Sequence, residues 1–470
     1  MSVDTNNAAF QDALNLIQYP RQSVFLTGKA GTGKSTFLRY VCEHTKKKHV
    51  VLAPTGIAAI NAGGSTMHSF FKLPFYPLLP DDPNLSLQRG RIHEFFKYTK
   101  PHRKLLEQIE LVIIDEISMV RADLIDAIDR ILRVYSHNLR EPFGGKQLLL
   151  VGDVFQLEPV VKNDEREILN RAYPTPYFFS ARVFSQIDLV SIELQKVYRQ
   201  TDSVFVSVLD HIRTNTAGAA DLQLLNTRYG SHIEESEADM YITLATRRDT
   251  VDSINEKKLA ELAGEPITFE GSIEGDFPES SLPTSQELVL KPGAQIIFIK
   301  NDFDRRWVNG TIGVIAGIDE EEETIYVITD DGKECDVKRE SWRNIRYRYN
   351  EKTKEIEEEV LGSFTQYPIR LAWAITVHKS QGLTFSRVVI DFTGGVFAGG
   401  QAYVALSRCT SLDGIQLKKP INRADIFVRP EIVNFAGRFN DRQAIDKALK
   451  QAQADVQYAA AARAFGKGDM

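Results

Sequence analysis

The sequence predicts an α/β fold in which buried parallel strands alternate with helices. Residues 24–36 read as an apolar strand, a glycine-rich loop and the start of a helix, and Leu111–Ile114 and residues 148–151 are continuous apolar runs. Runs without polar alternation are typical of a parallel sheet that is covered on both faces. Asp115-Glu116 and Gly152-Asp153 follow these two runs directly. Ligands of such sheets bind at the carboxyl ends of the strands, so we expect a site there.

The glycine-rich loop has the form GxxxxGKS and ends at Ser35. Gly28, Gly31 and Gly33 allow backbone N–H groups to approach phosphate oxygens, and the helix that follows directs the positive end of its dipole to the same place. Lys34 adds a cation for the outer phosphates, and the Ser35 hydroxyl is a ligand that Mg²⁺ accepts. The loop therefore predicts a nucleoside triphosphate site, with ATP and Mg²⁺ as the expected ligands.

Further strands and helices extend this layer along the chain. A helix at residues 10–17 precedes the loop, and His49–Ala53 forms the next strand. Prolines and aromatics at residues 72–83 interrupt the alternation and predict a small insertion. A second round of strands and helices, without a second glycine-rich loop, begins near residues 187–194. It continues with strands at residues 240–244 and Val388–Asp391.

The second round is itself interrupted by short strands that predict a small β-barrel-like insertion. Asn309-Gly310 and Asp331-Gly332 supply the turn signals. The strands are expected at residues 294–299, 311–318, Thr324–Thr329 and 346–349. Near the end of the chain, residues 445–462 read as a helix that is polar enough to lie on the surface.

Length and composition limit the classes of protein. The 470 residues, of which 43% are hydrophobic, predict two or more folded domains. No apolar run is long enough to cross a bilayer and the N-terminus lacks signal or transit features, so the cytoplasm, with the nucleoid in a bacterium, is the expected compartment. Cys42, Cys335 and Cys409 are too far apart for a disulfide framework or a zinc motif. The net charge of −6 does not favour a nucleic-acid binder, although local acidic runs leave room for a basic groove.

Several polar residues have the chemistry that phosphoryl transfer requires. Asp115 is predicted to hold magnesium, and Glu116 to accept a proton from the attacking water. Gln156 can bridge that water and the γ-phosphate. Arg199 and Arg408 are candidates to neutralise charge on the γ-phosphate, although each, taken alone, also fits an ordinary salt bridge.

The order of the motifs resembles that of the superfamily 1B DNA helicases of the petite integration frequency (Pif) family, in the RecD-like group. The resemblance runs from Gln11 to about Leu417 and rests on GKAGTGKST, APTGIAAINAGGSTMHSFF, IDEISMV, GDVFQLEPV, VYRQ, TVHKSQGLTF and YVALSRCTSLDG. The stretch from residue 123 to 159 is similar to the signature that separates this family from other RecD-like proteins. Glu158 stands where the family more often has proline.

The resemblance implies an α/β fold with two RecA-like parallel-sheet domains, a P-loop NTPase core, a small 1B insertion and an SH3-like 2B insertion. Domain 1A would comprise residues 1–63 and 102–185, insertion 1B residues 64–101, domain 2A residues 186–300 and 365–430, insertion 2B residues 301–364, and a C-terminal helical segment residues 431–470. By its position relative to the family motifs, Gln11 would recognise the adenine base. The other implied nucleotide contacts are Gly28, Ala30, Gly31, Thr32, Gly33, Lys34, Ser35, Thr36, Gln156, Arg199, Gln381 and Arg408.

Resemblance to this family also implies 5′-to-3′ movement along single-stranded DNA, with forked duplexes and G-quadruplexes as obstacles. We expect a monomer in solution that can oligomerise on DNA, and no membrane partner. Side chains and backbone groups suited to phosphate oxygens lie in motifs of both rounds, and each of them also fits a capping or turn residue. The predicted DNA contacts are Thr55, Gly56, Thr66, His68, Ser69, Thr246, Arg247, Asn255, Thr376, His378 and Lys379.

The proline-rich insertion predicts a wedge. Its prolines stiffen the loop, so Phe75 and Tyr76 could press against the last base pair of a duplex. Packing of both rings on the first domain is the open alternative. For the whole chain, the alternatives are a RecD-like or conjugation-type translocase, a protein-remodelling P-loop ATPase, and an ATP-regulated binding module without turnover.

Overall fold

A computed structural model describes residues 4, 7–19, 21–87, 91–200, 202–230 and 240–467. Small parts of the predicted segments 1–63, 64–101, 186–300 and 431–470 lie outside these ranges. Within them, two parallel sheets with flanking helices form the core, and an antiparallel β region interrupts the second. No helix in the described ranges is long and apolar enough to cross a membrane.

The first sheet has six parallel strands in the order β3-β2-β4-β5-β1-β6. All four residues of β4 and all five of β5 are buried, as their continuous apolar sequences predict. The strands are β1 (Val24–Gly28), β2 (His49–Ala53), β3 (Ser65–Thr66), β4 (Leu111–Ile114), β5 (Gln147–Val151) and β6 (Val190–Leu194). The helices of this part are α1 (Ala8–Gln18), α2 (Lys34–His44), α3 (Gly56–Ala62), α4 (Met67–Phe71), α5 (Arg91–Phe96), α6 (Lys100–Gln108), α7 (Ala122–Tyr135) and α8 (Asn163–Leu169).

Two boundaries of the first domain differ from the sequence predictions. The strand β6 pairs in parallel with β1, so the prediction that the second round begins near residues 187–194 is wrong. Likewise β3 pairs with β2, so residues 65 and 66 belong to the first sheet and not to the small insertion. Both strands lie at the edges of the sheet. Sequence patterning shows that an edge strand exists but not which sheet it joins, because either sheet could accept it.

The second sheet has four parallel strands in the order β18-β7-β19-β20. Its first elements are α9 (Ser203–Arg213), α10 (Ala219–Asn226), β7 (Ile242–Ala245) and α11 (Arg248–Glu261). The β region then intervenes with β8 (Ile267–Glu270), β9 (Ser272–Gly275), β10 (Glu287–Leu290), β11 (Gln295–Phe298), β12 (Ile312–Asp319), β13 (Thr324–Thr329), β14 (Glu334–Val337), β15 (Glu340–Asn350), β16 (Glu355–Gln366) and β17 (Ile369–Leu371). The sheet is completed by β18 (Ala374–Thr376), β19 (Val388–Asp391), α12 (Gln401–Leu406) and β20 (Ile415–Leu417).

The β insertion is larger than residues 301–364. Its five-stranded antiparallel sheet has the order β14-β13-β12-β11-β17, and the last two strands of that order, β11 and β17, lie in the stretches assigned to the second domain. Trp307 is 5% exposed and stacks on Phe298 with ring centroids 4.3 Å apart, so it belongs to the core of the insertion. The long hairpin of β15 and β16 packs on the first domain, where the Tyr347 hydroxyl accepts the N–H of Val51 at 3.3 Å.

The end of the chain returns to the first domain. Helices α13 (Pro430–Ala436) and α14 (Arg442–Lys467) follow the second sheet, and Phe435 lies 5.6 Å from Phe25 of β1 between ring centroids. Ile445, Ala448 and Ala452 of α14 are buried, and the first two join the core that contains α1. The prediction of a surface helix at residues 445–462 is therefore wrong for its first two turns. Small alanine side chains let the helix lie close to its neighbour, which a polarity pattern does not reveal.

Candidate nucleotide site and nucleic-acid interface

The glycine-rich loop lies between β1 and α2, as predicted. Gly31 has a left-handed φ of +79°, and an added Cβ would lie 2.4 Å from the Cβ of Arg199, so only glycine fits where this arginine approaches the loop. Lys34 Nζ donates to the carbonyl oxygens of Gly28 at 2.7 Å and Lys29 at 3.0 Å. Burial lowers the pKa of Lys34. The loop thus holds a buried cation whose hydrogen bonds go to neutral carbonyls.

Asp115 and Glu116 follow β4 at the carboxyl edge of the sheet. The backbone of Glu116 has φ 50° and ψ 42°, a left-handed conformation that is uncommon for a residue other than glycine and concentrates at functional sites. Its N–H donates to Asp115 Oδ1 at 2.9 Å. Burial raises the pKa of both carboxyls, and repulsion from Asp115 helps to raise that of Glu116 to about 7. A buried carboxyl that titrates near neutrality is suited to accept a proton from water.

The loop after β5 carries Gln156, which is buried and faces a cavity that Lys34 and Glu116 also line. Gly400 packs so closely here that an added Cβ would lie 2.1 Å from the Gln156 carbonyl oxygen. Asp153 forms a buried ion pair with Arg213 of α9 at 3.0 Å, and Arg213 also contacts Glu193 at 2.8 Å. This network was not predicted from the sequence, although Asp153 stands in the motif that contains Gln156.

Glu158, which stands where the family more often has proline, is hydrogen-bonded to two other side chains. Its Oε2 accepts hydrogen bonds from the Tyr177 hydroxyl at 3.0 Å and from Arg429 Nε at 2.7 Å. Arg429 directly precedes α13. The carboxylate therefore ties the Gln156 motif to the segment that returns from the second domain to the first.

Arg199 and Arg408 both line the cavity. Arg408 is 1% exposed, and its guanidinium donates to the carbonyl oxygens of Val404 at 3.0 Å and of Ser380 and Leu383 at 3.3 Å each. Burial, followed by repulsion from Arg199, lowers the pKa of Arg408 to about 9. Within the described ranges neither arginine has a carboxylate within 4 Å. These two cations therefore lie beside the phosphate loop without a direct ion pair in the described ranges, and Glu116 and Asp153 act on Arg408 only from a greater distance.

The two halves of the molecule meet around the glycine-rich loop. The backbone N–H of Ala30 donates to the Tyr403 hydroxyl at 3.0 Å, and Lys29 forms an ion pair with Asp210 of α9. Gln200 Nε2 donates to the carbonyl oxygen of Ser407 at 3.0 Å. None of these links was predicted, but Tyr403 stands in the YVALSR motif, which was the available signal.

One cavity of about 1070 Å³ connects these groups. The predicted nucleotide residues that line it are Ala30, Gly31, Thr32, Gly33, Lys34, Ser35, Thr36, Asp115, Glu116, Gln156, Arg199 and Arg408. Gly28 does not line it, and Gln381 lines a neighbouring groove instead. Asn7 and Phe10 face the cavity from the start of α1, whereas Gln11 does not, so the adenine assignment stays a prediction. Residues 308–311 and Asp330 of the β insertion also line the cavity, and no sequence signal indicated this.

Most of the predicted DNA contacts lie at the ends of strands and helices. Thr55 and Thr66 cap α3 and α4 through their hydroxyls, each accepting a backbone N–H at 3.2 Å. Gly56 packs closely against Ser281, since a Cβ added to Gly56 would lie 2.6 Å from the Ser281 hydroxyl oxygen. Asn255 differs, because its carboxamide is hydrogen-bonded at both ends to the backbone of Ala374. The rest of the predicted set is Ser69 on α4, Thr246 and Arg247 after β7, Thr376 at the end of β18, and His68, His378 and Lys379.

The proline-rich loop exposes its two aromatic rings. Phe75 is 82% exposed and Tyr76 is 50% exposed. The Phe75 ring stacks on His68 with centroids 4.9 Å apart. Leu73 and Leu78 on either side are buried. The loop is therefore anchored at its base and presents its tip to solvent.

Comparison with known proteins agrees with this arrangement. Residues 4–217 match the PIF1-like helicase family. The chain is 33% identical to the ATP-dependent DNA helicase Pif1 of Campylobacter jejuni over 412 residues, which cover 84% of this chain and 88% of that protein. Its structure resembles that of Bacteroides sp Pif1 in complex with ADP-AlF4, with a TM-score of 0.84, 40% identity and coverage of 93% and 97% of the two chains. The TM-score to Bacteroides Pif1 bound to ssDNA is 0.65, at the same identity and coverage. The glycine-rich loop, the acidic strand end, the two arginines and these likenesses agree, and the chain belongs to the PIF1-like helicase family.

Proposed function

We propose that this chain couples hydrolysis of ATP, with Mg²⁺, to 5′-to-3′ movement along single-stranded DNA and to the opening of duplexes ahead of it. One observation carries the proposal. Lys34 from the first domain and Arg199 and Arg408 beside it converge on a single cavity, and their side chains bond only to neutral groups in the described structure. Buried cations that make no direct ion pair favour an anionic ligand, and a triphosphate supplies that charge.

The residues in the cavity also fit magnesium. Ser35 and Asp115 offer hydroxyl and carboxylate oxygens, the hard ligands that Mg²⁺ accepts together with water and phosphate oxygens. When bound, the ion would neutralise charge on the β- and γ-phosphates. In this chain Glu116 accepts the proton of the attacking water, Gln156 orients that water, and the arginines stabilise charge that develops on the γ-phosphate.

Hydrolysis would drive movement because the cavity walls come from both halves of the molecule. Loss of the γ-phosphate removes the anion that Arg199 and Arg408 share with Lys34, so the halves hold one another less tightly. Repeated closing and opening moves a strand that is held by both halves. The proposed strand-binding groups are the predicted DNA contacts without Asn255, whose carboxamide already holds β18.

The obstacles and the assembly state belong to the same proposal. We propose forked duplexes and G-quadruplexes as substrates, with Phe75 and Tyr76 as the wedge. The protein would act as a monomer in solution and would be able to assemble on DNA. A related structure of Bacteroides Pif1 bound to ssDNA and another of two coordinating Pif1 helicases at forked dsDNA support the choice of ligand.

A strand-displacement assay tests the proposal. Two duplexes of equal sequence carry single-stranded tails of equal length, one 5′ and one 3′, and ATP is added with magnesium. We expect the 5′-tailed duplex to open and the 3′-tailed duplex to stay closed. Opening of the 3′-tailed duplex alone would contradict the proposed 5′-to-3′ direction. DNA-stimulated ATP hydrolysis without opening of either duplex would indicate a translocase that is not a helicase.

A further inference from the structure

A second groove, of about 410 Å³, adjoins the nucleotide cavity. The two cavities share Ser35, Asp115 and Glu116, so the acidic strand end forms their common boundary. Helices α2 and α3 of the first domain form one wall of the groove. The base of the β insertion and the segment after β18 form the other wall. The groove therefore joins the catalytic carboxylates to the predicted DNA contacts Thr55, His378 and Lys379, which line it as well.

Arg370 of β17 faces this groove and was not singled out from the sequence. It lies directly across from Ile297 of β11, which is buried and lines the groove as well. The backbone of Arg370 is part of the antiparallel pairing, but within the described ranges its guanidinium has no hydrogen-bond or ion-pair partner. Desolvation lowers the pKa of Arg370 to about 10. The strand thus holds a half-buried cation in place without compensating its charge.

Other polar groups lie around Arg370 in the same groove. Lys379 lines the same groove, and its pKa is lowered by desolvation and then by repulsion from Arg370, so the two cations are neighbours. Arg39 of α2 faces the groove from the opposite wall. Gln381 Nε2 is a buried donor with no partner in the described structure, and Gln381 lines this groove. Three cations and an unused donor therefore border one space.

The charge of the groove is divided. Its carboxylates are Asp115 and Glu116, which lie at the end shared with the nucleotide cavity. The other charged residues of the lining are Arg39, Arg370 and Lys379, and apolar side chains such as Ile57, Ile299 and Trp342 also form its walls. An uncompensated, partly buried guanidinium is unfavourable unless a ligand supplies negative charge. Apolar walls beside cations suit a phosphate group joined to sugars and bases.

We propose that this groove is a binding subsite for one backbone phosphodiester of the DNA strand, with Arg370 as its main ligand and Lys379 and Arg39 beside it. The proposal rests on the proposed function, which supplies the strand. The nucleotide phosphates are a less suitable ligand because Lys34, Arg199 and Arg408 already serve them in the adjoining cavity. A phosphodiester at Arg370 would occupy the groove that Asp115 and Glu116 share with the nucleotide cavity, so this contact joins strand binding to the ATP site.

Binding of a fluorescent oligothymidylate by the full-length protein tests the subsite. Anisotropy is measured without nucleotide across a salt series for the wild type, Arg370→Gln, Arg370→Met and Arg370→Lys. Arg438→Gln removes one charge from an exposed site outside the groove and serves as the matched control. We expect the two neutral variants to bind about tenfold more weakly, the lower range for loss of a hydrogen bond to a charged group. The slope of log affinity against log salt should fall by about 0.7, the value for one phosphate contact on a single strand.

The results for these variants, together with binding of a fluorescent ATP analogue, decide the interpretation. Arg370→Lys should keep the wild-type salt slope because it keeps the charge, and Arg438→Gln should match the wild type throughout. Arg370→Met keeps an apolar side chain beside Ile297, so it preserves a test if the glutamine variant fails to fold. Wild-type affinity and slope in folded neutral variants overturn the subsite. Weaker binding of a fluorescent ATP analogue with unchanged DNA binding assigns the phosphate to the nucleotide and also overturns it, whereas failure of the wild type to bind DNA overturns the proposed function itself.

Discussion

Replacing Phe75 and Tyr76 by serine tests how the proline-rich loop works. The loop is held by Leu73, which is 5% exposed, and Leu78, which is fully buried. The backbone N–H of Leu78 also donates to Asp123 Oδ2 at 3.1 Å. That carboxylate is fixed by two hydrogen bonds of 2.9 Å from Arg121. The base of the loop therefore has its own rigid support, which the two serine substitutions leave intact.

The exposure of Phe75 and Tyr76 at the tip of the loop determines how much the free energy of unfolding should change. Phe75 and Tyr76 are 82% and 50% exposed, so their loss should change the free energy of unfolding by about 0.5 kcal/mol or less. The matched control Leu78→Ala removes a buried side chain from the same loop and should cost about 2–5 kcal/mol. If the rings stack on the last base pair, at least about 1 kcal/mol of contact is lost, which corresponds to an opening rate lowered about fivefold or more.

Three assays on the double serine variant separate the interpretations. Thermal melting, binding of single-stranded DNA and DNA-stimulated ATP hydrolysis should stay close to the wild type, while strand displacement on a 5′-tailed fork slows. Normal strand displacement in a stable double variant would refute the wedge. A joint fall of melting temperature and ATP hydrolysis would instead show that the rings support the first domain.

The remaining predictions concern the ATP site and stability. Lys34→Ala should abolish ATP hydrolysis on single-stranded DNA, because the lost cation neutralises the outer phosphates, and it should leave the melting temperature unchanged. A near wild-type turnover would contradict the assignment of the nucleotide site to the glycine-rich loop. Arg199→Ala and Arg408→Ala should each lower turnover about 10³-fold, with a smaller effect on binding of a fluorescent ATP analogue, and unchanged turnover in both would contradict their placement. Burial lowers the pKa of folded His102 from 6.5 to about 4, so the unfolded chain binds the proton more readily as the pH falls through this window. Between pH 7.5 and 5 this linkage should lower the free energy of unfolding by about 2 kcal/mol, and His102→Leu should remove that part of the acid sensitivity.

Local sequence determined the parts of the site that depend on short-range geometry. The glycine-rich loop from Gly28 to Ser35 needs positive φ angles and a helix start, and these are encoded in neighbouring residues. The strands that precede Asp115 and Asp153 were predictable because a parallel sheet covered on both faces requires continuous apolar runs. The order of the motifs predicted Arg199 and Arg408, because the residues next to each arginine do not indicate its role. Both arginines do line the cavity with the loop.

Only the tertiary structure decided which separate segments meet. The pairing of β6 with β1, the Tyr403 bond to Ala30 and the entry of residues 308–311 into the nucleotide cavity each join parts of the chain that lie far apart in sequence. Such contacts depend on the summed packing of whole domains, and no periodicity or spacing within one segment encodes them. Arg370 is the clearest case, because a single arginine in a strand reads as a surface residue. Its half-buried and unpartnered state exists only once the β insertion and the first domain form the two walls of one groove.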